Sequence, residues 1–243
     1  MEKRKQNHMI EFEPKNLLDK EFQIFIGRIG SGKTEISINF AMKLKEEGYK
    51  VVLFDMDIVK PYIRIRDVMD ELKKYNLEIV SPPEATRAID LPIFPKFIIG
   101  RLMNKDGYKI LDVGGDPYGA GSIAQFRDVI KEGLYNLFFI VNTRRPETSN
   151  VAEIIRAISM IQDASRMKVT RLVFNTNLRW ETTKDIIMEG LNVVKEVSLE
   201  THIPVAFGCV DESGMGVLDS IDIPILPLKF FINPLPLTGI KNI

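Results

Sequence analysis

Cysteine, histidine and long hydrophobic runs are scarce in this chain of 243 residues, which has one cysteine, Cys209, and two histidines. A single thiol excludes an intrachain disulfide framework, and this chain alone offers no thiolate pair for zinc or an iron–sulfur cluster. There is no run of about eighteen apolar residues, and no apolar signal core follows the charged residues at the start of the sequence. We therefore expect a cytoplasmic protein without a membrane anchor.

An excess of charge of either sign is also lacking, because 33 Lys and Arg residues balance 33 Asp and Glu residues. Without a global field, neither nucleic acid nor an anionic membrane surface is a favoured partner. The hydrophobic content of 45% and the length suit one well-buried core and are small for two full domains. We expect a single domain.

The most informative stretch is residues 27–34, GRIGSGKT, which fit the phosphate-loop pattern GxxxxGK(S/T) at every fixed position. A strand-like run precedes it, and an amphipathic helical pattern follows it. In such a loop, backbone N–H groups point at phosphate oxygens, Lys33 reaches the β- and γ-phosphates, and the Thr34 hydroxyl binds Mg²⁺. The motif predicts a nucleoside triphosphate with Mg²⁺, and the residues expected to hold it are Gly30, Ser31, Gly32, Lys33, Thr34 and Glu35.

Strand-like runs alternate with helical patterns along most of the chain. Alternation of this kind requires crossover connections and a mostly parallel sheet with helices on both faces. We therefore predict an α/β protein with the three-layer α/β/α fold of phosphate-loop NTPases. The predicted strands are residues 22–26, 50–54, 109–113, 137–141 and 170–174.

Two proline-rich regions interrupt this alternation. Residues 81–95 carry four prolines and predict an ordered loop, and prolines after residue 223 exclude a long amphipathic helix there. We predict an N-terminal extension at residues 1–20, a nucleotide-binding domain at 21–210 and a proline-rich tail, residues 211–243, packed on that domain.

Acidic residues follow two predicted strands. Asp55 and Asp57 end one strand, and Asp112 ends another, with DxxG spacing to Gly115. Taken alone, Asp55 and Asp57 fit loop caps, but beside a phosphate loop such carboxylates position Mg²⁺ and water. We expect Asp112 to stand at or directly behind the metal, and a backbone N–H near Gly115 to approach the γ-phosphate.

These motifs together resemble the MinD/ParA-type branch of phosphate-loop ATPases, the group with the deviant phosphate loop of nitrogenase iron protein. The chain is most similar to uncharacterised bacterial ATP-binding proteins of that branch, through residues 55–62, 112–116 and 175–178. The resemblance implies a Mg²⁺-dependent ATPase that is slow without its partner. It also implies a nucleotide-dependent homodimer that uses hydrolysis to switch its affinity for an unidentified protein partner.

The same resemblance implies roles for single residues. Asp57 corresponds to the residue that orients the hydrolytic water, and Asp55 to its neighbour near Mg²⁺. Asn175 corresponds to the asparagine that hydrogen-bonds adenine, with Asn177 as the alternative. Because no Asn-Lys-x-Asp guanine motif occurs there, ATP is favoured over GTP.

Arg28 departs from the family pattern, in which a lysine at this position crosses the dimer interface to the partner's nucleotide. The resemblance implies that Arg28 supplies this cation in trans, so that Lys33, Asp57 and Arg28 are the catalytic candidates. A solvated loop arginine is the alternative.

Other functions remain open from the sequence. An ATP-dependent synthetase or kinase, related to cobyrinic acid diamide and dethiobiotin synthetases, would use residues 81–95 with Arg144 and Arg145 to hold an organic acid. A nucleotide-binding scaffold with negligible hydrolysis is a third possibility. Two Cys209 thiols brought together in a dimer would allow metal handling, although a lone cysteine is more often a small buried hydrophobe.

Overall fold

The computed structural model describes residues 10, 12–57, 65, 68–83, 94–211 and 221–232. The strands of this part of the chain form one sheet, in the order β3-β2-β4-β1-β5-β6-β7-β8. All neighbouring strands are parallel, which confirms the predicted fold class. The strands are β1 (Phe22–Ile26), β2 (Val51–Met56), β3 (Glu78–Val80), β4 (Tyr108–Val113), β5 (Tyr135–Val141), β6 (Arg171–Phe174), β7 (Val205–Asp211) and β8 (Ile225–Leu228).

Helices cover both faces of this sheet. Helices α1 and α2 contribute to the hydrophobic cluster on one face, and the remaining four contribute to the cluster on the other. The central strand β1 is buried along its whole length because both of its faces are covered. The helices are α1 (Lys33–Glu46), α2 (Met69–Lys73), α3 (Lys96–Met103), α4 (Pro117–Ser122), α5 (Val151–Ser165) and α6 (Lys184–Thr201).

Stacked phenylalanines fix helix α1 on its face of the sheet. The rings of Phe25 on β1 and Phe138 on β5 are stacked with centroids 4.9 Å apart, and Phe40 of α1 packs at 5.1 Å from Phe25. Each fully buried side chain of this kind stabilises the fold by roughly 1.5–3 kcal/mol. The start of α1, with the phosphate-loop lysine, is thereby held at the carboxyl end of β1.

The five strands predicted from the sequence are present as β1, β2, β4, β5 and β6, and the structure adds β3, β7 and β8. Strand β8 lies within the region predicted to be a tail, so the boundary at residue 211 does not mark the end of the sheet. Its Pro227 is exposed at the edge of the sheet, where a missing N–H removes no ladder hydrogen bond. Of the predicted loop at residues 81–95, positions 84–93 lie outside the described residues.

Candidate functional site

The predicted phosphate loop connects β1 directly to α1. Gly30 and Gly32 have φ values of +75° and +90°, a backbone region that L side chains rarely adopt. Gly32 is the N-cap of α1, so Lys33 and Thr34 form the first turn of that helix. The free N–H groups and the positive end of the helix dipole therefore face the space beyond the loop, which favours an anion there.

Carboxylates surround the amine of Lys33. Its Nζ lies 2.5 Å from Oδ2 of Asp57 and 3.5 Å from Oδ1 of Asp112, and 3.4 Å from the hydroxyl of Thr34. Burial alone would lower the pKa of Lys33, but the charges of Asp112 and Asp57 outweigh it and hold that pKa above its ordinary value. Lys33 is therefore cationic at neutral pH.

Asp112 and Asp55 lie deeper than Asp57, with no exposed surface. Burial raises the pKa of the Asp112 carboxyl to about 7, against the opposing effect of Lys33. The hydroxyl of Ser81 donates to Oδ2 of Asp55 over 3.2 Å. Both aspartates end adjacent strands, paired directly across β2 and β4, so the sheet itself brings them together.

The backbone at Gly115 packs against the start of the phosphate loop. A Cβ on Gly115 would overlap the carbonyl oxygen of Gly27 and stand 3.1 Å from the amide nitrogen of Arg28. Only a glycine fits this approach. The segment that follows is helix α4, whose first turn is capped by the Asp116 side chain, which accepts from two backbone N–H groups.

A cavity of about 520 Å³ opens over these groups, a size typical of small-molecule sites. Residues 28–35 of the phosphate loop and the start of α1 line one end of it. Asp55 and Asp112 are not among its lining residues, whereas Asp57 and Gly115 are. The other lining residues are Asn142, Arg145, Asn175, Asn177, Leu178, Arg179, Glu181, Leu228, Phe230 and Ile232.

A family model described as the CobQ/CobB/MinD/ParA nucleotide-binding domain matches residues 24–206, about three quarters of the chain. The chain belongs to this CobQ/CobB/MinD/ParA family. It is therefore a phosphate-loop nucleotide-binding protein, as the motif and the resemblance predicted. No curated protein matches the chain in sequence.

Solved structures similar to this CobQ/CobB/MinD/ParA-family chain include FtsY proteins. The cell division protein FtsY of Thermotoga maritima has a TM-score of 0.53 at 18% identity, over 84% of this chain and 67% of its own. The signal recognition particle receptor FtsY of Elizabethkingia anophelis has a TM-score of 0.51 at 17% identity, over 84% of this chain and 61% of its own. At such identities the likeness shows the fold alone, and this chain spans only about three fifths to two thirds of those proteins.

Arg28 is folded onto its own chain in this family member. Its guanidinium forms a bidentate pair with the carboxylate of Glu147 and donates to the carbonyl of Gly115 over 3.0 Å. Only 8% of Arg28 is exposed, which does not fit the solvated loop arginine considered above. A role in trans requires the guanidinium to leave Glu147, and it stays a prediction.

Asn175 lines the cavity and also contacts the phosphate loop. Its Nδ2 donates to the carbonyl of Ser31 over 2.7 Å, and its Oδ1 is buried without a hydrogen-bond partner. Asn175 therefore braces the loop through its amide nitrogen, and its contact with adenine stays a prediction. Asn177, the alternative, lines the cavity, and its Oδ1 accepts from the amide of Arg179 over 2.6 Å.

Polar side chains after β5 also brace the loop. Asn142 and Arg145 both donate to the carbonyl of Gly30, over 3.4 and 3.0 Å. The neighbouring Arg144 points elsewhere and pairs with Glu189. Of the two arginines predicted to hold an organic acid, only Arg145 lines the cavity.

Several residues that line the cavity were not predicted from the sequence, among them Arg179, Phe230 and Ile232. Arg179 begins a short 3-10 helix in the connection after β6, and Phe230 and Ile232 follow β8; no local motif marks them. Glu35, predicted to bind nucleotide, accepts from the amides of Phe231 and Ile232 over 2.6 and 3.2 Å. Burial raises its pKa to about 7, although these two bonds oppose the rise.

Among the described residues, no three His, Cys, Asp or Glu side chains are grouped as a metal site. Mg²⁺ at a nucleotide is commonly held by one or two carboxylates, phosphate oxygens and water, so such a group is not required. Cys209 is buried in β7, where burial raises the pKa of its thiol. In the same part of the chain, no helix is both long and apolar enough to cross a bilayer.

Proposed function

We propose that this protein binds ATP with Mg²⁺ at the phosphate loop and hydrolyses it slowly, as a dimeric switch controlled by nucleotide. The observation that carries the proposal is the convergence of Lys33, Thr34, Asp57 and Asp112 at a glycine loop whose residues line one cavity. A polyphosphate in this cavity would meet a buried cation and a helix N-terminus.

The oxygen atoms around Lys33 fit a hard divalent cation. Hydroxyl and carboxylate oxygens of Thr34, Asp57 and Asp112 lie within reach of one Nζ atom, and Oδ1 of Asp57 makes no hydrogen bond. Such oxygens are the ligands that Mg²⁺ prefers. We assign Thr34 and Asp112 to the metal, with Asp55 behind them; the metal would neutralise charge on the β- and γ-phosphates.

Hydrolysis would rest on positioning and electrostatics. Once a phosphate replaces Asp57 as the partner of the Lys33 amine, the Asp57 carboxylate can accept a hydrogen bond from water and orient that water. Gly115, packed against Gly27, would present the following backbone to the γ-phosphate. Loss of that phosphate would then change the position of helix α4, which begins two residues after Gly115.

Two exposed hydrophobic residues support assembly around the nucleotide. Ile29 on the phosphate loop is 54% exposed, and Tyr118 on α4 is 74% exposed. Apolar side chains left open on the phosphate loop and on the helix after Gly115 favour a protein surface that covers them. We propose that a second copy of the chain covers them when ATP is bound. A further protein partner would bind one nucleotide state in preference to the other. The free thiol of Cys209 fits a protein of the cytoplasm.

The test is formation of ADP by the purified protein with ATP and Mg²⁺, measured with and without a chelator and with GTP as competitor. The proposal predicts slow turnover that stops without Mg²⁺ and in Asp57→Ala, with GTP a weaker competitor than ATP. Turnover that persists in excess chelator would contradict the metal assignment. Saturable ATP binding with no ADP after prolonged incubation would instead indicate the scaffold.

A further inference from the structure

The C-terminal segment, residues 228–232, consists of the last residue of β8 and the four residues after it, and it is held on helix α1 at two points. Asn39 donates to the carbonyl of Lys229 over 2.9 Å and accepts from its amide over 2.8 Å. One helical turn earlier, the carboxylate of Glu35 accepts from the amides of Phe231 and Ile232. Four hydrogen bonds thus hold this C-terminal segment on the same helix that begins with Lys33.

Alternate side chains of the C-terminal segment face the nucleotide cavity. Leu228, Phe230 and Ile232 line it, and Lys229 and Phe231 do not. This is the period of two expected for an extended segment. Leu228 and Ile232 are also part of the hydrophobic core that buries Phe231. Phe230 is 40% exposed, so part of its ring is accessible at the cavity wall.

Arg179 joins Phe230 from the loop after β6. Its Cζ lies 5.1 Å from the centroid of the Phe230 ring, and its Nη2 donates to the carbonyl of Ile232 over 3.1 Å. Arg179 and Phe230 thus place a guanidinium and an aromatic ring side by side at the cavity wall. The phosphate-loop residues line the same cavity, so a ligand with its phosphates at Lys33 can reach this surface.

We propose that Arg179 and Phe230 form a stacking surface for the nucleobase, supplied jointly by the loop after β6 and the C-terminal segment. This inference rests on the proposed nucleotide binding and adds the part of the ligand that the phosphate loop does not contact. Purines and pyrimidines all present a flat π-face, so stacking strengthens binding without reading the edge of the base. Selectivity between ATP and GTP therefore does not come from Phe230.

The test compares three ligands by calorimetry, all with Mg²⁺: ATP, GTP and inorganic tripolyphosphate. Phe230→Ala is expected to weaken ATP and GTP by about tenfold or more, in line with loss of one stacking contact, and to leave tripolyphosphate unchanged. Phe230→Trp should keep nucleotide affinity. Phe97→Ala is the matched control, because Phe97 is an exposed phenylalanine on α3 that does not line the cavity.

Arg179 is tested by two variants. Arg179→Ala is expected to weaken the binding of both ATP and GTP. Arg179→Lys should recover less than half of that loss, measured in log Kd, because an ammonium group carries the charge but is not planar. Equal ATP affinity in Phe230→Ala and Phe97→Ala would overturn the inference, as would equal losses for ATP and tripolyphosphate. Equal affinity of the unaltered protein for tripolyphosphate and ATP would contradict the base subsite and leave phosphate binding at the loop intact. Binding of neither ligand would contradict the proposed function itself.

Discussion

Nζ of Lys33 lies 2.5 Å from Oδ2 of Asp57, so the phosphate-loop lysine is paired with the carboxylate proposed to orient water. Both side chains are nearly buried, with 13% and 10% of their surface exposed. A phosphate that binds Lys33 must therefore displace Asp57. The ion pair and the nucleotide compete for one amine.

This competition predicts that Asp57→Asn binds ATP more tightly while losing turnover. Removal of the negative charge frees Lys33, and the gain should be about tenfold in Kd, the scale of one hydrogen bond to a charged group. Calorimetry and ADP formation measure the two effects separately. Asp106→Asn, which breaks an exposed pair with Lys50, is the control and should change neither. Weaker ATP binding in Asp57→Asn would contradict the competition.

Gly115→Ala should impair nucleotide binding, because a Cβ at that position overlaps the Gly27 carbonyl. Relief of the overlap requires one backbone segment to move, and overpacking of this kind costs about 1–3 kcal/mol. We expect a lower melting temperature and ATP binding weakened about tenfold or more. Gly121→Ala, whose new Cβ meets nothing closer than 3.7 Å, is the matched control. Equal melting temperatures and affinities in the two variants would refute the close packing.

Arg28 and Glu147 should be coupled in stability within one chain. A double-mutant cycle of Arg28→Ala and Glu147→Gln, measured by urea unfolding, should give an interaction of about 1 kcal/mol. The value is modest because the Glu147 side chain is 54% exposed and water screens the pair. Strict additivity of the two substitutions would show that the guanidinium is not held by Glu147 in solution.

Asn175→Ala should weaken the binding of ATP and of tripolyphosphate to the same extent, roughly tenfold in Kd. The reason is that Asn175 holds the phosphate loop by donating to the Ser31 carbonyl. Calorimetric titration of both ligands measures this, with Asn104→Ala on the surface as control. Loss of ATP affinity alone would restore the adenine role implied by the family resemblance.

Local motifs made much of the site predictable. The glycines, lysine and threonine of a phosphate loop lie within eight residues, and strand-end aspartates are readable because parallel strands end at the same edge. Asp57 and Gly115 line the cavity as placed by this reasoning, and Asp55 and Asp112 lie beneath it. The family match is consistent with the order of these motifs.

Contacts between distant parts of the chain were not predictable in this way. Glu35 is separated from Phe231 by 196 residues and Arg28 from Glu147 by 119, and no periodicity links such positions. Strand β8 was missed because its proline is tolerated only at the edge of a sheet, a place that the sequence does not reveal. The stacking surface of Arg179 and Phe230 depends on that strand.

Titration of ATP with Mg²⁺ into the unaltered protein and into Lys33→Ala, followed by calorimetry, tests the central claim most directly. Thermal unfolding beforehand establishes that the variant is folded. We predict saturable binding to the unaltered protein and a loss of roughly 100-fold or more in Lys33→Ala, as expected when one partner of a buried charge pair is removed. Equal affinities, or no heat from either protein, would contradict the claim that residues 27–34 hold the phosphates.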